Sequence, residues 1–277
     1  MISLREDYLR DGFAYARGLL PLADLDAATV EMNEVVAQQS RRLGLSVVPG
    51  SGVEALYENM RALHAASTPA YLASLTLWAK LYSVHRLVMN ADLADVARAL
   101  GVGIPVFQTQ PVLHVVSDLL RIPNGYQGFD VHQDWTALQS GLDTMGVWIP
   151  FMDVDRDTFT MDVLPRSHLR GLCPGAQGKH VFVVSQDCYR EEEFVPVELH
   201  RGDVFLMAIF TIHRSSARGR PGALRIACSA RYENAAEPTF VDRQYPYTQK
   251  RIVDRTVLTP GFPTVEQVRS AYAAKRA

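Results

Sequence analysis

The sequence predicts a mainly β fold with flanking helices, and three observations support this fold class. Apolar residues recur at helical spacing before position 100. Short β-like runs separated by turn residues follow Pro105. Helical and strand-like runs do not alternate along the chain, as they would in a βαβ fold. The core is therefore expected to be a β sandwich or barrel.

The first 104 residues are predicted to form a mostly helical collar around this core. A short helix is expected within residues 1–20, followed by a strand within residues 12–20. Apolar positions in residues 21–43 predict a second helix, and residues 53–100 predict two or three more, one of them beginning at Pro69. Glycines and prolines between these blocks mark the breaks.

Residues 105–235 are predicted to form the β core, and residues 236–277 a tail that covers it. A terminal helix with a threonine cap is expected over residues 264–275. We interpret the whole chain, residues 1–277, as a single domain. Strand-like runs in the core include residues 106–117, 144–149, 159–164, 179–184, 194–199, 204–212 and 224–232.

Composition argues against several classes of protein. A net charge of −2 with dispersed basic residues argues against a nucleic-acid binder, and no apolar run is long enough to span a membrane. The first residues lack the basic and apolar segments of a signal peptide. Three cysteines without a Cys-x-x-Cys motif argue against a disulfide framework or a thiolate zinc site. A cytoplasmic protein is the default expectation, and the oligomeric state stays open.

The strongest candidate for a metal site is His132-Gln-Asp134, the only His-x-Asp sequence in the chain. If these residues lie on a strand, their side chains point to the same face and can reach one ion. His213 lies near the end of the β segment and would supply a third ligand, because early and late strands become neighbours in a jelly roll. Two imidazoles and one carboxylate form the facial triad of non-haem Fe(II) oxygenases.

Arg225 is the candidate for binding an anion, because it lies within an apolar, strand-like run. Burying an unpaired guanidinium costs free energy, and the natural partner is a carboxylate that accepts a bidentate pair of hydrogen bonds from the guanidinium. That partner is either the distal carboxylate of 2-oxoglutarate or an acid of the chain, such as Asp203. Arg214 and Arg231 either meet an anionic substrate or lie on a solvated rim.

An ordered set of motifs resembles the phytanoyl-CoA dioxygenase family of Fe(II)/2-oxoglutarate-dependent oxygenases. The motifs are residues 11–20, His132-Gln-Asp134, residues 147–154, residues 162–168, Arg201-Gly-Asp203, His213-Arg-Ser215 and Arg225. The resemblance spans most of the chain, and it implies a double-stranded β-helix (a cupin-like jelly roll) flanked by helices. One departure concerns a loop near the substrate, where residues 157–162 replace an Asn-Gly that the family often has.

The resemblance also implies roles for individual residues. The His-Asp-His triad would bind Fe(II) and form the catalytic centre. Arg225 would bind the distal carboxylate of 2-oxoglutarate, and the hydroxyl of Ser215 would help it. Trp148 would pack against this cosubstrate, and His114 would contact it. A structural explanation stays open for the last three, as a strand-end hydroxyl, a core tryptophan and a buried histidine.

The function implied by the resemblance is oxidation of a small or medium organic molecule with Fe(II), 2-oxoglutarate and O2. Hydroxylation of an unactivated C–H bond is expected, with decarboxylation of 2-oxoglutarate to succinate; desaturation, epimerisation and cyclisation use the same iron chemistry. Related halogenases replace the acidic ligand with a small residue, so Asp134 favours oxygen insertion. Two alternatives stay open, namely a non-redox cupin-like isomerase or hydrolase using zinc or manganese, and a jelly-roll binding protein without catalysis.

Overall fold

The computed structural model describes residues 2–107, 110–123, 125–246 and 260–275. The helices are α1 (Ile2–Asp11), α2 (Leu22–Arg42), α3 (Val53–Ala66), α4 (Thr68–Trp78), α5 (Tyr82–Val88), α6 (Ala91–Ala99), α7 (Trp135–Leu138), α8 (Pro238–Asp242) and α9 (Val265–Ala274). The strands are β1 (Phe13–Ala16), β2 (Pro105–Phe107), β3 (Val112–Ser117), β4 (Met145–Pro150), β5 (Met161–Val163), β6 (Gly175–Gln177), β7 (Phe182–Val184), β8 (Val195–Pro196), β9 (Val204–Ala208), β10 (His213–Ser215) and β11 (Leu224–Asn234).

The helical collar contains more helices than the sequence predicts, because residues 53–100 form the four helices α3 to α6. Two of the breaks have clear signals. The Ser67 hydroxyl caps α4, with Pro69 in its first turn, and the Asn90 side chain caps α6. The break between α4 and α5 falls at residues 79–81, which contain neither glycine nor proline. Nothing in the local sequence marks that turn.

The strands form two facing sheets with the connectivity of a jelly roll. One sheet has the order β1-β9-β4-β11-β2, with β3 also paired to β11, and the other has the order β10-β5-β8. β6 and β7 form a separate hairpin, which an isolated bridge between Val183 and His132 joins to the metal-motif segment. The strand pairs are antiparallel, and strands far apart in sequence lie side by side. The predicted double-stranded β-helix is confirmed.

Strand β11 separates the main hydrophobic core from the inside of the barrel. Its even-numbered side chains, from Leu224 to Tyr232, pack in the core cluster that includes the collar helices. Its odd-numbered side chains point to the opposite face, because side chains alternate along a strand. That face carries Arg225, Ser229 and Arg231 towards the inside of the barrel. The polar groups of β11 are therefore placed by the same alternation that buries its apolar ones.

The terminal helix forms where the sequence predicts it. The Thr264 hydroxyl accepts from the backbone N–H of Gln267 at 3.1 Å, and the Gln267 side chain accepts from the N–H of Thr264 at 2.7 Å. This reciprocal cap fixes the first turn of α9. Tyr272 of α9 packs edge-on against His168, with 4.9 Å between the ring centroids. In the ranges that the structure describes, no helix has the length and apolar character needed to cross a membrane.

Candidate active site

The three predicted metal ligands meet at one end of the barrel. His132 and His213 lie opposite each other in an antiparallel bridge, with backbone N–H to O distances of 2.9 and 3.0 Å. Asp134 lies beside them, with Oδ1 3.6 Å from His132 Nε2. One ligand atom from each of the three side chains lies within 4.8 Å of the others, and all three residues are buried. The group can therefore hold one metal ion.

The His-x-Asp motif was predicted to lie on a strand, but in the structure it is not part of a regular strand. His132 takes part only in isolated bridges, and Asp134 directly precedes the short helix α7. The two side chains still converge, at the point where the chain passes into α7. Trp135, the first residue of α7, is fully buried and stacks on Phe210, with 5.7 Å between the ring centroids. It does not line the pocket.

Hydrogen bonds to backbone carbonyls determine which nitrogen of each histidine faces the metal position. His132 Nδ1 lies 2.7 Å from the carbonyl oxygen of Asp130, and His213 Nδ1 lies 3.0 Å from that of Thr211. A carbonyl can only accept, so each Nδ1 carries the hydrogen and each Nε2 keeps its lone pair for a metal. Burial, together with the neighbouring His132, lowers the pKa of His213 to about 3. His213 is therefore neutral, as a ligand must be.

Asp134 is paired with Arg231, for which the sequence left an anionic substrate and a solvated rim as alternatives. Arg231 donates to Oδ2 of Asp134 through Nε at 3.0 Å and through Nη2 at 2.6 Å. Burial raises the pKa of Asp134, but Arg231 and the two imidazoles more than offset it, and the pKa lies well below its usual value. The carboxylate is therefore ionised. Because Oδ2 is occupied by Arg231, Oδ1 is the oxygen available to a metal.

Arg225 is buried without an acidic partner. Only 2% of its surface is exposed, and in the described ranges no carboxylate lies within salt-bridge distance of it. Its Nη1 donates to the carbonyl oxygen of Thr160 at 3.2 Å, and its Nε has no hydrogen-bond partner in the described part of the chain. Asp203, the alternative partner considered from sequence, pairs with Arg17 at 2.7 Å instead. Asp203 is therefore not the partner of Arg225, and no acid in the described ranges takes its place.

The other three predicted residues lie on the wall of the same pocket. Ser215 accepts a hydrogen bond from the backbone N–H of Phe129 at 3.0 Å. The indole ring of Trp148 lies 5.8 Å from the guanidinium carbon of Arg225. His114 Nε2 lies 2.8 Å from the hydroxyl of Ser229. The structure thus brings these side chains together with Arg225 and the two histidines of the candidate metal group.

The pocket encloses about 370 Å³, including the part that is open to solvent. Several lining residues were missed from sequence, namely Tyr126, Phe129, Met161, Met207 and Ser229, whereas Arg231 was considered only for an anionic substrate or a solvated rim. For Ser229 and Arg231 a signal existed, because an even spacing from Arg225 places them on the same face of one strand. Tyr126 and Phe129 lie outside the strands, where no periodicity indicates a direction.

Solved structures with the same fold include several that hold or use iron and 2-oxoglutarate. The epimerase SnoN, in complex with Fe3+, alpha ketoglutarate and nogalamycin RO, is 20% identical, with 84% of this chain and 83% of that chain covered and a TM-score of 0.53. The alpha-ketoglutarate-dependent carbocyclase SnoK from nogalamycin biosynthesis is 17% identical, with coverages of 92% and 94% and a TM-score of 0.55. EctD from S. alaskensis, with 2-oxoglutarate and 5-hydroxyectoine, is 17% identical, with coverages of 93% and 86% and a TM-score of 0.53. These likenesses establish the shared fold.

Sequence comparison identifies the family. No curated protein sequence matches the chain significantly. The model of the family described as phytanoyl-CoA dioxygenase (PhyH) matches residues 8–221, which is more than half of the chain and includes every predicted metal ligand. The chain belongs to the phytanoyl-CoA dioxygenase family, within the superfamily of Fe(II)/2-oxoglutarate-dependent oxygenases.

Proposed function

We propose that the chain is an Fe(II)/2-oxoglutarate-dependent hydroxylase that acts on a small or medium organic molecule. One observation carries this proposal: the two histidines of a His-Asp-His group and the buried Arg225, which has no acidic partner in the described ranges, line a single pocket. A metal group alone would suit many enzymes. A buried arginine beside it suits a cosubstrate that has a carboxylate at each end.

His132, Asp134 and His213 would hold the iron. Neutral imidazoles and one ionised carboxylate are the donor set of non-haem Fe(II) oxygenases, and three protein ligands leave coordination positions open. When bound, Fe(II) with 2-oxoglutarate and O2 supplies an oxidant that takes hydrogen from an unactivated C–H bond, and 2-oxoglutarate leaves as succinate and CO2. Arg231 keeps Asp134 ionised and limits it to one free oxygen. The carboxylate at this position favours oxygen insertion over halogenation.

Arg225 would bind the distal carboxylate of the cosubstrate. A bidentate, charge-assisted pair of hydrogen bonds between a guanidinium and a carboxylate is strong in a buried site, since little water competes for either group. Trp148 and Ser215 would form the walls beside it. Phe129, Met161 and Met207 add apolar surface that excludes water from the same space. A zinc or manganese isomerase would gain nothing from a buried guanidinium in this position.

Anaerobic titration with Fe(II) and then 2-oxoglutarate tests the proposal. We expect 2-oxoglutarate to produce the weak visible charge-transfer band of its iron chelate, and His213→Ala to abolish that band. His200→Ala is the matched control, because the side chain of His200 is 84% exposed and lies outside the pocket. If the protein binds iron but 2-oxoglutarate produces no band, the proposal is wrong and a non-redox metal enzyme becomes the better explanation.

A further inference from the structure

Two cysteines flank the β6–β7 hairpin, which pairs with the metal-motif segment. Cys173 lies just before β6, and Cys188 ends the short 3₁₀ turn Gln186–Cys188 that follows β7. Between them, the backbone N–H of Ser185 donates to the carbonyl oxygen of Pro174 at 2.8 Å and closes the base of the hairpin. The fold therefore brings the two cysteines to the same end of one hairpin.

The side chains of these two cysteines are neighbours. Cys173 lies in a small apolar cluster with Val184 of β7, and Cys188 packs against the same cluster. Their thiol groups are hydrogen-bond partners, and both cysteines are free. Cys228, the third cysteine, packs in the main hydrophobic core instead. A disulfide requires two cysteines whose backbones are already close, and this pair meets that condition.

The two thiols differ in their access to solvent. Cys173 is buried, and burial together with the neighbouring Cys188 raises its pKa to about 12. Such a thiol is a poor nucleophile towards a dissolved oxidant, because the thiolate is the reactive form. Cys188 is half-buried, so a small oxidant reaches its sulfur first. Cys173 then reacts with Cys188 alone, and their contact favours this step because the two sulfurs are already held together.

The hairpin links this pair of thiols to the metal motif. Val183 of β7 forms an isolated antiparallel bridge with His132. The side chain of Gln133, the residue between the two candidate ligands of the motif, accepts from the backbone N–H of Cys173 at 2.9 Å. Cys173 is thus anchored to the metal motif. A bond to Cys188 would fasten the turn after β7 to the same anchor.

We propose that Cys173 and Cys188 are a peroxide-sensitive thiol pair that forms a reversible disulfide across the base of the β6–β7 hairpin. Hydrogen peroxide first oxidises Cys188 to a sulfenic acid: an S–O bond forms, the O–O bond breaks and one water leaves. The sulfur of Cys173 then attacks that of Cys188, the S–S bond forms, the S–O bond breaks, and the hydroxyl leaves as water with the proton of Cys173. Two thiols are oxidised and one peroxide is reduced to two waters. The disulfide would hold the hairpin closed beside His132, and a dithiol would open it again by exchange.

Peptide mapping of the full-length protein tests the inference. The protein is loaded with Mn(II) in place of iron, so that peroxide does not form radicals at the metal, and is treated with hydrogen peroxide. Free thiols are then blocked with iodoacetamide in denaturant, and trypsin is added without a reductant. Cleavage after Arg170, Lys179 and Arg190 places the two cysteines on separate peptides, residues 171–179 and 180–190. We expect these peptides to be joined, with a mass lower than their sum by two hydrogens, and dithiothreitol to separate them.

Cys228→Ala is the matched control, because it removes a cysteine that packs elsewhere, and the joined peptides should still form. In Cys173→Ser, oxidation of Cys188 should stop at the sulfenic acid, which dimedone labels. In Cys188→Ser, Cys173 should keep its thiol.

Three results would overturn the inference. The first is that the wild-type peptides stay separate at a peroxide dose that converts glutathione to its disulfide in a parallel solution. The second is that the disulfide includes Cys228. The third is that dimedone does not label Cys188 in Cys173→Ser, or that Cys173 loses its thiol in Cys188→Ser as fast as in the wild type.

Discussion

Replacing Arg225 with methionine should stabilise the metal-free protein while removing its response to 2-oxoglutarate. The structure gives the reason, because Arg225 is 2% exposed and has no acidic partner in the described ranges. Its guanidinium donates to the carbonyl oxygen of Thr160 at 3.2 Å, and the Tyr126 side chain is its other polar neighbour among the described residues. Burial lowers the pKa of its guanidinium, which means that the protein interior disfavours the charge. The folded protein therefore bears a cost at this position that only an anion can offset.

The size of the effect follows from measured replacements of buried charges. Exchanging buried ionic groups for apolar side chains of similar volume is often neutral or stabilising by about 1–4 kcal/mol. Loss of the Thr160 hydrogen bond and of the contact with Trp148 reduces that gain. We therefore expect a gain of about 1–2 kcal/mol, which raises the midpoint of thermal unfolding by roughly 2–8 °C in a chain of this size.

Thermal unfolding with and without ligand is the assay, and Arg243→Met is the matched control. Arg243 is satisfied by the protein itself, through the carbonyl oxygens of Gln139, Ser140 and Thr239 and through contact with the Phe262 ring. Its replacement should lower the midpoint. With Mn(II) present, 2-oxoglutarate at 100 times its Kd should stabilise the wild-type protein by about 2.7 kcal/mol and Arg225→Met much less.

Loss of stability in Arg225→Met, comparable to that in Arg243→Met, would refute the reasoning. Arg225 would then be a structural residue whose charge is compensated within the fold. The argument for a dicarboxylate cosubstrate would lose its main support, even if the metal site were intact.

Three further predictions concern groups around the site. Glu233 is fully buried, and burial raises its pKa from 4.5 to about 8. The stability that its proton provides is therefore complete below about pH 4.5 and is lost as the pH rises to about 8. Glu233→Gln should remove this decline, which is worth at most about 5 kcal/mol, from the pH profile of thermal unfolding. Gly12→Ala should destabilise the fold far more than Gly18→Ala. Both glycines have positive φ, but of the two only Gly12 would bring a Cβ into collision, at 2.3 Å from His168 Nδ1. Equal losses of stability in thermal unfolding would contradict this. Arg231→Met should destabilise the metal-free protein by about 3–5 kcal/mol, because it leaves the Asp134 carboxylate buried and unpaired. Mn(II) should then stabilise this variant more than it stabilises the wild-type protein. A smaller effect of the metal on the variant than on the wild type would count against this pairing.

The sequence is informative about this site where chemistry and strand periodicity act together. Arg225 could be singled out because a charge within an apolar strand requires a partner, and no acid in the described ranges supplies one. His213 could be joined to His132 because a jelly roll makes neighbours of distant strands, as their backbone bridge shows. The fold class, predicted from helices followed by short strands, and the family, predicted from the resemblance of an ordered set of motifs, are both confirmed.

Sequence fails where the chain leaves regular structure. Asp134 meets His132 at the turn into α7, so the strand argument predicted two side chains that do lie together, but for an incorrect reason. The partner of Arg231 could not be found because that turn has no periodicity. Tyr126 was missed for the same cause. Contacts between a strand and a loop depend on the tertiary path of the loop, which no local pattern records.

The two arginines on one face of β11 divide the electrostatics of the pocket between them. Arg231 cancels the charge of Asp134, His213 is neutral, and Arg225 leaves a positive charge that no acid of the described residues compensates. A divalent metal would increase that charge, and a dianionic keto acid would bring it back to its starting value. The pocket therefore favours a dianion before the metal binds and favours it more strongly afterwards. Arg214 adds little to this balance, since it is paired with Asp162 and Glu191. Because one positive charge persists with metal and cosubstrate both bound, we expect neutral or anionic substrates to enter and cationic ones to be rejected.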